Sequence, residues 1–518
     1  MDLRVLMVLG VICIWQCNEI LMVSGNAFFE VEHKFKGGNR TLKELRAHDV
    51  RRHGRMLDAV DLPLGGNGQP SDAGLYFTKI KIGKPPKEYH VQIDTGSDVL
   101  WINCEGCEKC PKKSGLGIKL NLYDPKTSST ANLVNCDDSQ CTMIYQGTLS
   151  GCQPDMLCQY EVTYGDGSTT SGYFVEDDFH YDRVSGNMQT TSGNGSIVFG
   201  CGAKQSGQLI TADEALDGIM GFGQANSSVL SQLAASGKVQ KMFSHCLDNK
   251  KGGGIFSIGR VIEPKMNHTP LIPNQAHYNV VMKSIEVDGE VVKLDTDTSG
   301  SDRGAIIDSG TTLAYLPDDV YDKIVNTVGA LSLCPFYRKV DFAIVEAEYV
   351  TLIFFGFYCF PKILAKQPQL QLHTVEDQFK CFQYSGKIDD GFPNVIFRFA
   401  NSLTLTVHPH EYFFPLTEGE NKWCVGWMNS GLQSRDGKDV TILGDIVLSG
   451  KVVFYDLVNQ TIGWTEYNCS SSIKVKDSES GAVYTVGAHD LSSANSLISG
   501  RSLLFLFVLI NLFFTIDH

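Results

Sequence analysis

The chain has 518 residues, of which 43% are hydrophobic and 20% charged, and it contains 16 cysteines. These proportions exclude a collagen-like repeat, a wholly disordered chain and a multi-span membrane protein, and the length predicts two or three domains. The formal net charge of -14 argues against a nucleic-acid partner, because phosphate contacts require clustered lysine and arginine.

Residues 1–25 have the features of a secretory signal peptide. Arg4 precedes an apolar run over residues 5–15, and small residues follow it. The run is too short to span a bilayer, which is typical of a segment that is removed after export. We expect cleavage near Gly25 or Ala27.

Residues 26–70 are predicted to form a propeptide and a linker. Basic residues outnumber acidic ones between Phe28 and Met56, and Leu42 and Leu45 fit an amphipathic helix. A basic, removable segment before an acidic body suggests a cover for an anionic site, and a solvated charged linker is an equally open interpretation. Residues 61–71 are rich in glycine and proline, which indicates a linker where processing occurs.

Strand patterns dominate the chain after this linker. Ile80 and Ile82 alternate with lysines, and Ile285 and Val287 lead into an Asp-Gly turn. Helical patterns are short and fall at residues 227–237 and 318–328. The sequence therefore predicts a mostly β protein with two lobes, over residues 71–262 and 263–470.

The two predicted lobes repeat one motif. The apolar run that ends in Asp94-Thr95-Gly96-Ser97 is echoed by the run that ends in Asp308-Ser309-Gly310-Thr311. A second echo follows in each half, at residues 218–221 and 441–444. A single motif of this kind often only caps a turn, whereas a matched pair favours a shared function.

Two carboxylates at the ends of buried strands can perform acid–base chemistry together. If the halves pack about a pseudo-twofold axis, Asp94 and Asp308 face each other. Such a pair cannot ionise fully at low cost, so it shares one proton and can hold a water between its members. One carboxylate then acts as the base that activates the water, and its partner supplies the acid. The spacing leaves open which aspartate carries the proton.

These motifs resemble those of the pepsin-like aspartic proteases, and among them a plant group with extra cysteines and a lipid-anchor signal. The likeness covers roughly Tyr76 to Tyr467 and includes the motif at residues 94–101, Tyr164-Gly-Asp-Gly-Ser, the motif at residues 308–312 and Ile-Leu-Gly-Asp at 442–445. The proton-sharing pair is a known property of that family. The resemblance implies a bilobal pepsin-like fold with pseudo-twofold related β lobes and a cleft for an extended peptide or protein substrate.

The resemblance also assigns residues around the pair. It implies that Asp94 and Asp308 are catalytic and that Ser97 and Thr311 hold the outer carboxylate oxygens. Tyr164 matches the tyrosine of a flap that closes over the substrate. Trp101 matches the indole that hydrogen-bonds that tyrosine.

The cysteines agree with secretion, because an oxidising compartment makes disulfides the default. Cys104, Cys107 and Cys110 could form a metal cluster, but the export signal favours disulfides. Spacing does not determine the pairing. The resemblance implies these pairs: Cys104–Cys107, Cys110–Cys201, Cys136–Cys158, Cys141–Cys152, Cys246–Cys469 and Cys381–Cys424.

Residues 333–366 depart from the family pattern. They contain the two leftover cysteines, Cys334 and Cys359, and an uncharged stretch over residues 349–361. Our hypothesis is an insertion that does not derive from the family, such as translated intron, which threatens folding of the second lobe without altering Asp94 or Asp308. Transcripts lacking the segment would support it, and peptides from it in the natural protein would count against it.

The C-terminal region is predicted to carry a spacer and an attachment signal. Residues 471–492 are expected to form the spacer, and the apolar tail within residues 493–518 fits a glycosylphosphatidylinositol (GPI) signal with Ser492, Ser493 or Asn495 as the anchored residue. A plain transmembrane tail or a merely cleaved segment stays open. Glycosylation sequons lie at Asn194, Asn226, Asn267, Asn459 and Asn468, with Asn39 upstream.

Together these observations predict an acid-active aspartic endopeptidase that is made as a zymogen and displayed on the outer face of the plasma membrane, or released outside the cell. The alternative is a catalytically silent pepsin-fold protein that binds or inhibits other macromolecules. Both aspartate motifs are intact, which favours the enzyme. We expect no metal or organic cofactor, because neither a zinc-protease motif nor a phosphate-binding glycine loop is present, and we expect a monomer.

Overall fold

The computed structural model describes residues 58–70, 74–292, 303–331, 372–375, 379–416, 421–429, 441–477 and 480–491. The signal peptide, the helix around Leu42, the segment 333–366 and the anchor candidates Ser492, Ser493 and Asn495 lie outside these described residues. Within the described ranges, no helix is both long enough and apolar enough to span a membrane.

The first half of the described chain consists mainly of strands. They are β1 (Val60–Asp61), β2 (Leu64–Asn67), β3 (Leu75–Ile82), β4 (Lys87–Asp94), β5 (Leu100–Glu108), β6 (Asn132–Leu133), β7 (Gln159–Thr163), β8 (Thr169–Gly186), β9 (Gln189–Gln205), β10 (Gly218–Gly221), β11 (Met242–Leu247), β12 (Gly254–Ile258) and β13 (Arg260–Glu263). The α-helices of this half are α1 (Ser139–Tyr145) and α2 (Val229–Ala235), with short 3-10 turns at Pro125–Thr127 and Gly207–Ile210.

The second half of the described chain also consists mainly of strands. Its strands are β14 (Asn267–Pro270), β15 (Asn279–Val287), β16 (Glu290–Val292), β17 (Arg303–Ile307), β18 (Ala314–Leu316), β19 (His373–Val375), β20 (Phe379–Gln383), β21 (Val395–Phe399), β22 (Thr404–Val407), β23 (Phe413–Pro415), β24 (Lys422–Val425), β25 (Trp427–Asn429), β26 (Thr441–Leu443), β27 (Lys451–Asp456), β28 (Thr461–Glu466), β29 (Ser472–Lys476) and β30 (Val483–Gly487). Its helices are α3 (Asp318–Leu331), α4 (Ile388–Gly391) and α5 (Asp445–Leu448), with 3-10 turns at Ala400–Ser402 and Pro409–Glu411.

Local sequence patterns explain several of these strands. In β3, Ile80 and Ile82 are buried while the alternating lysines face outward, as the period of two predicts. The turn between β15 and β16 has positive φ at both Asp288 and Gly289, at 51° and 82°. This is the geometry that an Asp-Gly hairpin favours, because these residues tolerate left-handed backbone best.

The two halves repeat one strand arrangement around the aspartate motifs. In the first half, β10 pairs in parallel with β4 and antiparallel with β5. In the second half, β26 pairs in parallel with β17 and antiparallel with β18. The second echo in the sequence is therefore the strand that packs beside the aspartate-bearing strand in each half. The predicted bilobal, mostly β fold is confirmed.

One sheet joins the halves. Strand β11 pairs with β27 in antiparallel register, so a strand from each half contributes to the same sheet. The side chains on these strands are buried, and Phe243 stacks on Tyr455 with the ring centroids 4.3 Å apart. This sheet therefore joins the halves through backbone pairing and buried side chains.

Two expected connecting segments are instead part of the folded body. The predicted linker over residues 61–71 is wrong at its start, because β1 pairs with β8 and β12, and β2 pairs with β3. The predicted spacer over residues 471–492 contains β29 and β30, which form a sheet with β13. The glycines and proline next to Leu62 and Leu64 indicated a linker, although both leucines are buried. The alternation of Ile473 and Val475 with lysines is typical of a strand and was overlooked.

The disulfide pairing also corrects the expectation. The structure joins Cys246 to Cys469 and Cys381 to Cys424, as the resemblance implied. The other four implied pairs are wrong, since the bonded pairs are Cys104–Cys201, Cys107–Cys110, Cys136–Cys152 and Cys141–Cys158.

Strand and helix packing explains these pairs. Cys104 is buried on β5 beside β9, which carries Cys201, and the two Cα atoms are 5.4 Å apart. Helix α1 buries Cys141, whose Cα lies 6.0 Å from that of Cys158. Four cysteines within one short stretch allow several loop closures, so local spacing could not select among them.

Candidate active site

Asp94 ends β4, and its carboxylate is held by its own motif. The Gly96 backbone N–H donates to Asp94 Oδ1 over 2.8 Å, and Ser97 Oγ donates to Asp94 Oδ2 over 2.5 Å. The residue is 6% exposed. Because β3 and β10 flank β4, the carboxylate has a fixed position at the end of a central strand.

Asp308 follows β17 directly and is held in the same way. The Gly310 N–H donates to Asp308 Oδ1 over 2.8 Å, and Thr311 Oγ1 donates to Asp308 Oδ2 over 2.7 Å. The hydrogen-bond pattern around Asp94 is therefore repeated atom for atom around its counterpart. Ser97 and Thr311 lie where the resemblance implied.

The two motifs approach each other so closely that only glycine fits between them. A Cβ atom added to Gly96 would lie 2.6 Å from Asp308 Oδ2, and one added to Gly310 would lie 2.0 Å from Asp94 Oδ1. Both distances are far below van der Waals contact. The structure thus brings the aspartates of the two halves together, each beside the glycine of the other motif.

The electrostatic setting of this pair favours retention of a proton. Burial, followed by the nearby charge of Asp308, raises the pKa of Asp94 to about 7, although hydrogen bonds from Ser97 and Gly96 act in the opposite direction. Two carboxyls in this arrangement titrate together, because ionising the second creates a like-charge contact in a poorly solvated place.

Tyr164 lies in the turn between β7 and β8, across from the aspartates. Trp101 Nε1 donates to Tyr164 Oη over 2.7 Å, as the resemblance implied. The turn is closed by the Tyr164 N–H, which donates to the Ser168 carbonyl over 2.9 Å, and by Asp166, which accepts from Ser168 Oγ over 2.6 Å. Burial, together with the charge of Asp94, raises the pKa of Tyr164, so its hydroxyl stays protonated.

A cleft of about 1030 Å³ runs between the halves at this point. Its walls include the aspartates, Tyr164, Trp101, Ser97 and Thr311, so the structure brings all six predicted active-site residues to one cavity. Apolar residues from both halves complete the walls: Leu75, Val162, Leu209, Leu216, Leu313 and Phe379. A cavity of this size lies at the upper end of the range that ligand-binding sites occupy.

The Thr95 hydroxyl and the Ser309 backbone, neither of which was predicted as part of the site, join the aspartate loops across the halves. The Ser309 N–H donates to Thr95 Oγ1 over 2.8 Å, and Thr95 Oγ1 lies 3.5 Å from the carbonyl oxygen of Ile307. Thr95 is fully buried. The signal in the sequence is the hydroxyl of Thr95 directly after its aspartate, since Ser309 contributes its backbone N–H and its own hydroxyl has no partner among the described residues.

A further carboxyl, which is buried, lies near the pair. Asp445 begins α5, is 1% exposed, and its backbone N–H donates to the Thr311 carbonyl over 2.7 Å. Burial, followed by the charges of Asp308 and Asp94, holds its pKa well above the usual range. Asp445 ends the Ile-Leu-Gly-Asp motif at residues 442–445, and no role was predicted for it.

The remaining predicted sites lie away from the cleft. The five sequon asparagines in the described part are all exposed: Asn194, Asn226, Asn267, Asn459 and Asn468. Exposure is what glycan attachment requires. Asn459 Nδ2 donates to Asp456 Oδ2 over 2.7 Å, so this amide has a protein partner in the structure.

Comparison with known proteins agrees with the fold. A family model described as "Xylanase inhibitor N-terminal" matches residues 76–260. "Aspartic proteinase 36" of Arabidopsis thaliana is 48% identical, over 95% of this chain and 95% of the relative. "Aspartic proteinase 39" of the same plant is 47% identical, over 94% of this chain and 93% of the relative. The chain therefore belongs to the plant aspartic proteinase family, whose fold is pepsin-like.

Solved structures support the fold alone. Basic 7S globulin from soybean superposes with a TM-score of 0.55 at 20% identity, covering 80% of this chain and 97% of the globulin chain. Conglutin gamma from lupine seeds gives 0.56 at 18% identity, covering 80% of this chain and 96% of the other.

Proposed function

We propose that this protein is an aspartic endopeptidase that cleaves peptide bonds with a water molecule activated by Asp94 and Asp308. The observation that carries the proposal is the mutual approach of the two motifs, in which each glycine abuts the opposite carboxylate. Membership of the aspartic proteinase family supports it. The substrate would be an extended segment of a peptide or protein in the cleft between the halves.

The arrangement supports a specific sequence of proton transfers. One carboxylate takes a proton from the bound water as the water oxygen attacks the peptide carbonyl carbon. The protonated partner donates a hydrogen bond to the developing oxyanion, and a proton then passes to the leaving nitrogen as the carbon–nitrogen bond breaks. Ser97 and Thr311 keep the outer oxygens oriented, and Tyr164 with Trp101 would close over the substrate.

This mechanism implies activity in acid. The pair must keep one proton between its members, and burial with the charge of Asp308 raises the pKa of Asp94 to about 7. Raising the pH through that region removes the shared proton, so the rate should fall. Lowering the pH far enough protonates both carboxyls and removes the base, so the rate should also fall at the acid extreme.

The test is cleavage of a fluorogenic peptide library across about pH 3 to 8. We expect a maximum in acid, inhibition by a statine-type transition-state analogue, and loss of cleavage in Asp94→Asn. Asp137→Asn is the matched control, because Asp137 is an exposed aspartate outside the cleft. Cleavage that survives in Asp94→Asn would exclude the mechanism.

A silent binding or inhibitor protein is the second candidate. The description of the matching family model, which names a xylanase inhibitor, favours it. The two complete motifs with their repeated hydrogen bonds favour the enzyme. Wild-type protein that binds the statine-type analogue or a partner protein without cleaving any peptide would identify the silent candidate.

We also propose secretion and attachment to the outer face of the plasma membrane by a GPI anchor, with release outside the cell as the alternative. The signal-like start, the exposed sequons and the disulfides support a secretory route. Detergent partitioning before and after treatment with phosphatidylinositol-specific phospholipase C tests the anchor. A protein that stays in the detergent phase after treatment would exclude it.

A further inference from the structure

Residues 488–491, which follow β30, lie against the N-terminal strands and the start of β12. The His489 N–H donates to the carbonyl of Gly254, and the Gly254 N–H donates to the carbonyl of His489, each over 2.8 Å. The Leu491 N–H donates to the carbonyl of Leu64 on β2 over 2.9 Å. Backbone hydrogen bonds therefore hold this segment at two points, and we call residues 488–491 the C-terminal clasp.

Two glycines make room for the C-terminal clasp. A Cβ atom added to Gly253 would lie 2.0 Å from the carbonyl oxygen of His489, and one added to Gly65 would lie 2.9 Å from Leu491 Cβ. Gly253 also has a positive φ of 67°, which other residues adopt rarely. The sequence on the facing elements therefore permits the close approach of the clasp.

A contact between a histidine and a carboxylate joins the clasp to β1. His489 Nε2 lies 2.9 Å from Asp61 Oδ2, although the two residues are 428 positions apart in the chain. The side chain of Asp61 is 10% exposed and that of His489 is 35% exposed. The other oxygen, Asp61 Oδ1, is buried without a hydrogen-bond partner among the described residues. The ring of His489 is therefore the side-chain partner that the structure gives this buried carboxylate.

The charges around the ring favour its protonated form. The hydrogen bond to Asp61 raises the pKa of His489 above its ordinary value of 6.5, and the charges of Asp61 and Asp182 act in the same direction against the effect of burial. Protonation of His489 therefore stabilises the clasp fully below pH 6.5, and this contribution is lost as the pH rises through the raised pKa. The clasp and the elements packed against it also carry Asp490, Arg183, which pairs with Asp58, and Asp248, Lys250 and Lys251 in the turn before β12.

The clasp also contacts residues of the cleft wall. Leu491 packs against a cluster of buried side chains, which are Leu75, Phe77 and Leu216. Leu75 and Leu216 line the same cleft as Asp94 and Asp308. A movement of Leu491 would therefore change the packing of two residues that form the wall of the cleft.

We propose that the C-terminal clasp is a pH-sensitive device: in acid, protonated His489 binds the Asp61 carboxylate and keeps Leu491 packed on the cleft wall, and at higher pH the neutral ring holds the clasp less firmly. The consequence for cleavage rests on the proposed proteolytic function, whereas the clasp itself does not. A permanent structural contact is the competing explanation, since the backbone hydrogen bonds could hold the segment at any pH. Dependence on the charge of His489 distinguishes the two.

The test uses three variants of the full-length protein and one control. Asp61→Asn removes the negative charge, and His489→Gln keeps an N–H donor that does not titrate. Leu491→Ala removes most of the side chain that packs on the cleft wall. His180→Gln is the matched control, because His180 is a partly buried histidine whose Nε2 atom lies 3.0 Å from the carbonyl oxygen of Gly83, and it pairs with no carboxylate among the described residues.

Hydrogen–deuterium exchange of the peptide that covers residues 484–491, corrected for the intrinsic pH dependence of exchange, measures the clasp at about pH 5 and about pH 8. We expect protection to fall roughly fivefold to tenfold between these values in the wild type and in His180→Gln, because the charged hydrogen bond is lost. His489→Gln should be protected equally at both. Asp61→Asn in acid should be as weakly protected as the wild type is at the higher pH.

Cleavage of a peptide substrate measures the link to the cleft. At about pH 5, Asp61→Asn and Leu491→Ala should each raise KM roughly threefold with kcat within about twofold, since both loosen the packing of the wall and neither alters the catalytic pair. His489→Gln and His180→Gln should match the wild type in this assay.

Equal protection of the wild type at both pH values, or a His489→Gln variant that still loses protection at the higher pH, would overturn the clasp as a pH-sensitive device. An unchanged KM in both Asp61→Asn and Leu491→Ala would overturn its link to the cleft. Wild-type protein that cleaves nothing would instead contradict the proposed function, while the exchange result would still decide whether the clasp responds to pH.

Discussion

Replacing His245 with glutamine should make the folded protein less sensitive to acid. The imidazole is 1% exposed, and burial lowers its pKa from 6.5 to about 3. Between these values the unfolded chain binds a proton that the folded chain excludes. The free energy of unfolding must therefore decrease as the pH falls from about 6.5 towards 3, and this contribution is absent when residue 245 does not titrate.

The size of the effect follows from the two pKa values. Each pH unit within the window changes the free energy of unfolding by about 1.4 kcal/mol for one proton. Taking 6.5 for the unfolded state and about 3 for the folded state, acidification from pH 7 to about 4.5 should cost roughly 2 to 3 kcal/mol through this residue. Any change in packing caused by glutamine contributes equally at both pH values and cancels in the comparison.

Urea unfolding of the wild type and His245→Gln at these two pH values measures the effect. The difference in stability between the proteins should shift towards the variant by roughly 2 to 3 kcal/mol on acidification, with unchanged dependence on urea concentration. A difference that is the same at both pH values would refute the reasoning, because it would mean that His245 is protonated in the folded protein or titrates alike in both states.

Two other predictions concern residues whose importance the structure revealed. Because the pKa of Asp445 is raised in the folded protein, the unfolded chain loses a proton that the folded chain keeps once the pH exceeds about 4. The stability of Asp445→Asn relative to the wild type should therefore be higher at pH 7 than at about pH 3. Urea unfolding at both pH values measures this, and an equal difference at both would contradict it. A chain that starts at residue 71 lacks β1 and β2 and the buried side chains of Val60, Leu62 and Leu64. Burial of these three side chains contributes roughly 5 kcal/mol or more to the free energy of unfolding. The shorter chain should fail to form a protease-resistant folded domain, whereas a chain that starts at residue 26 should form one. A protease-resistant domain from the shorter chain would contradict the assignment of these strands.

The sequence was sufficient to predict the fold class and the residues of the pair. Duplicated motifs such as Asp94-Thr95-Gly96 and Asp308-Ser309-Gly310 follow apolar strands, and that local pattern already implies two similar halves. The predicted helix over residues 318–328 appears as α3, and the short pattern at 227–237 contains α2. These elements depend on periodicity and turn chemistry, which are properties of adjacent residues.

The features that were wrong or overlooked depend on contacts between distant residues. Cys104 joins Cys201 because β5 and β9 are neighbours, which no spacing rule reveals. Residues 64–67 form a strand because β3 offers a partner, although their glycines favour a turn. No motif singles out His245, and its contact with the Tyr455 hydroxyl appears only when β27 brings Tyr455 beside it.

The most direct test of the central claim is a comparison of cleavage by Asp94→Asn, Asp308→Asn and the double variant. If the two carboxyls act as one unit on one water molecule, each single change should lower kcat by at least about a thousandfold, and the double variant should fall to the same residual rate. A single variant that keeps a substantial part of the wild-type rate, or losses that multiply in the double variant, would contradict the account.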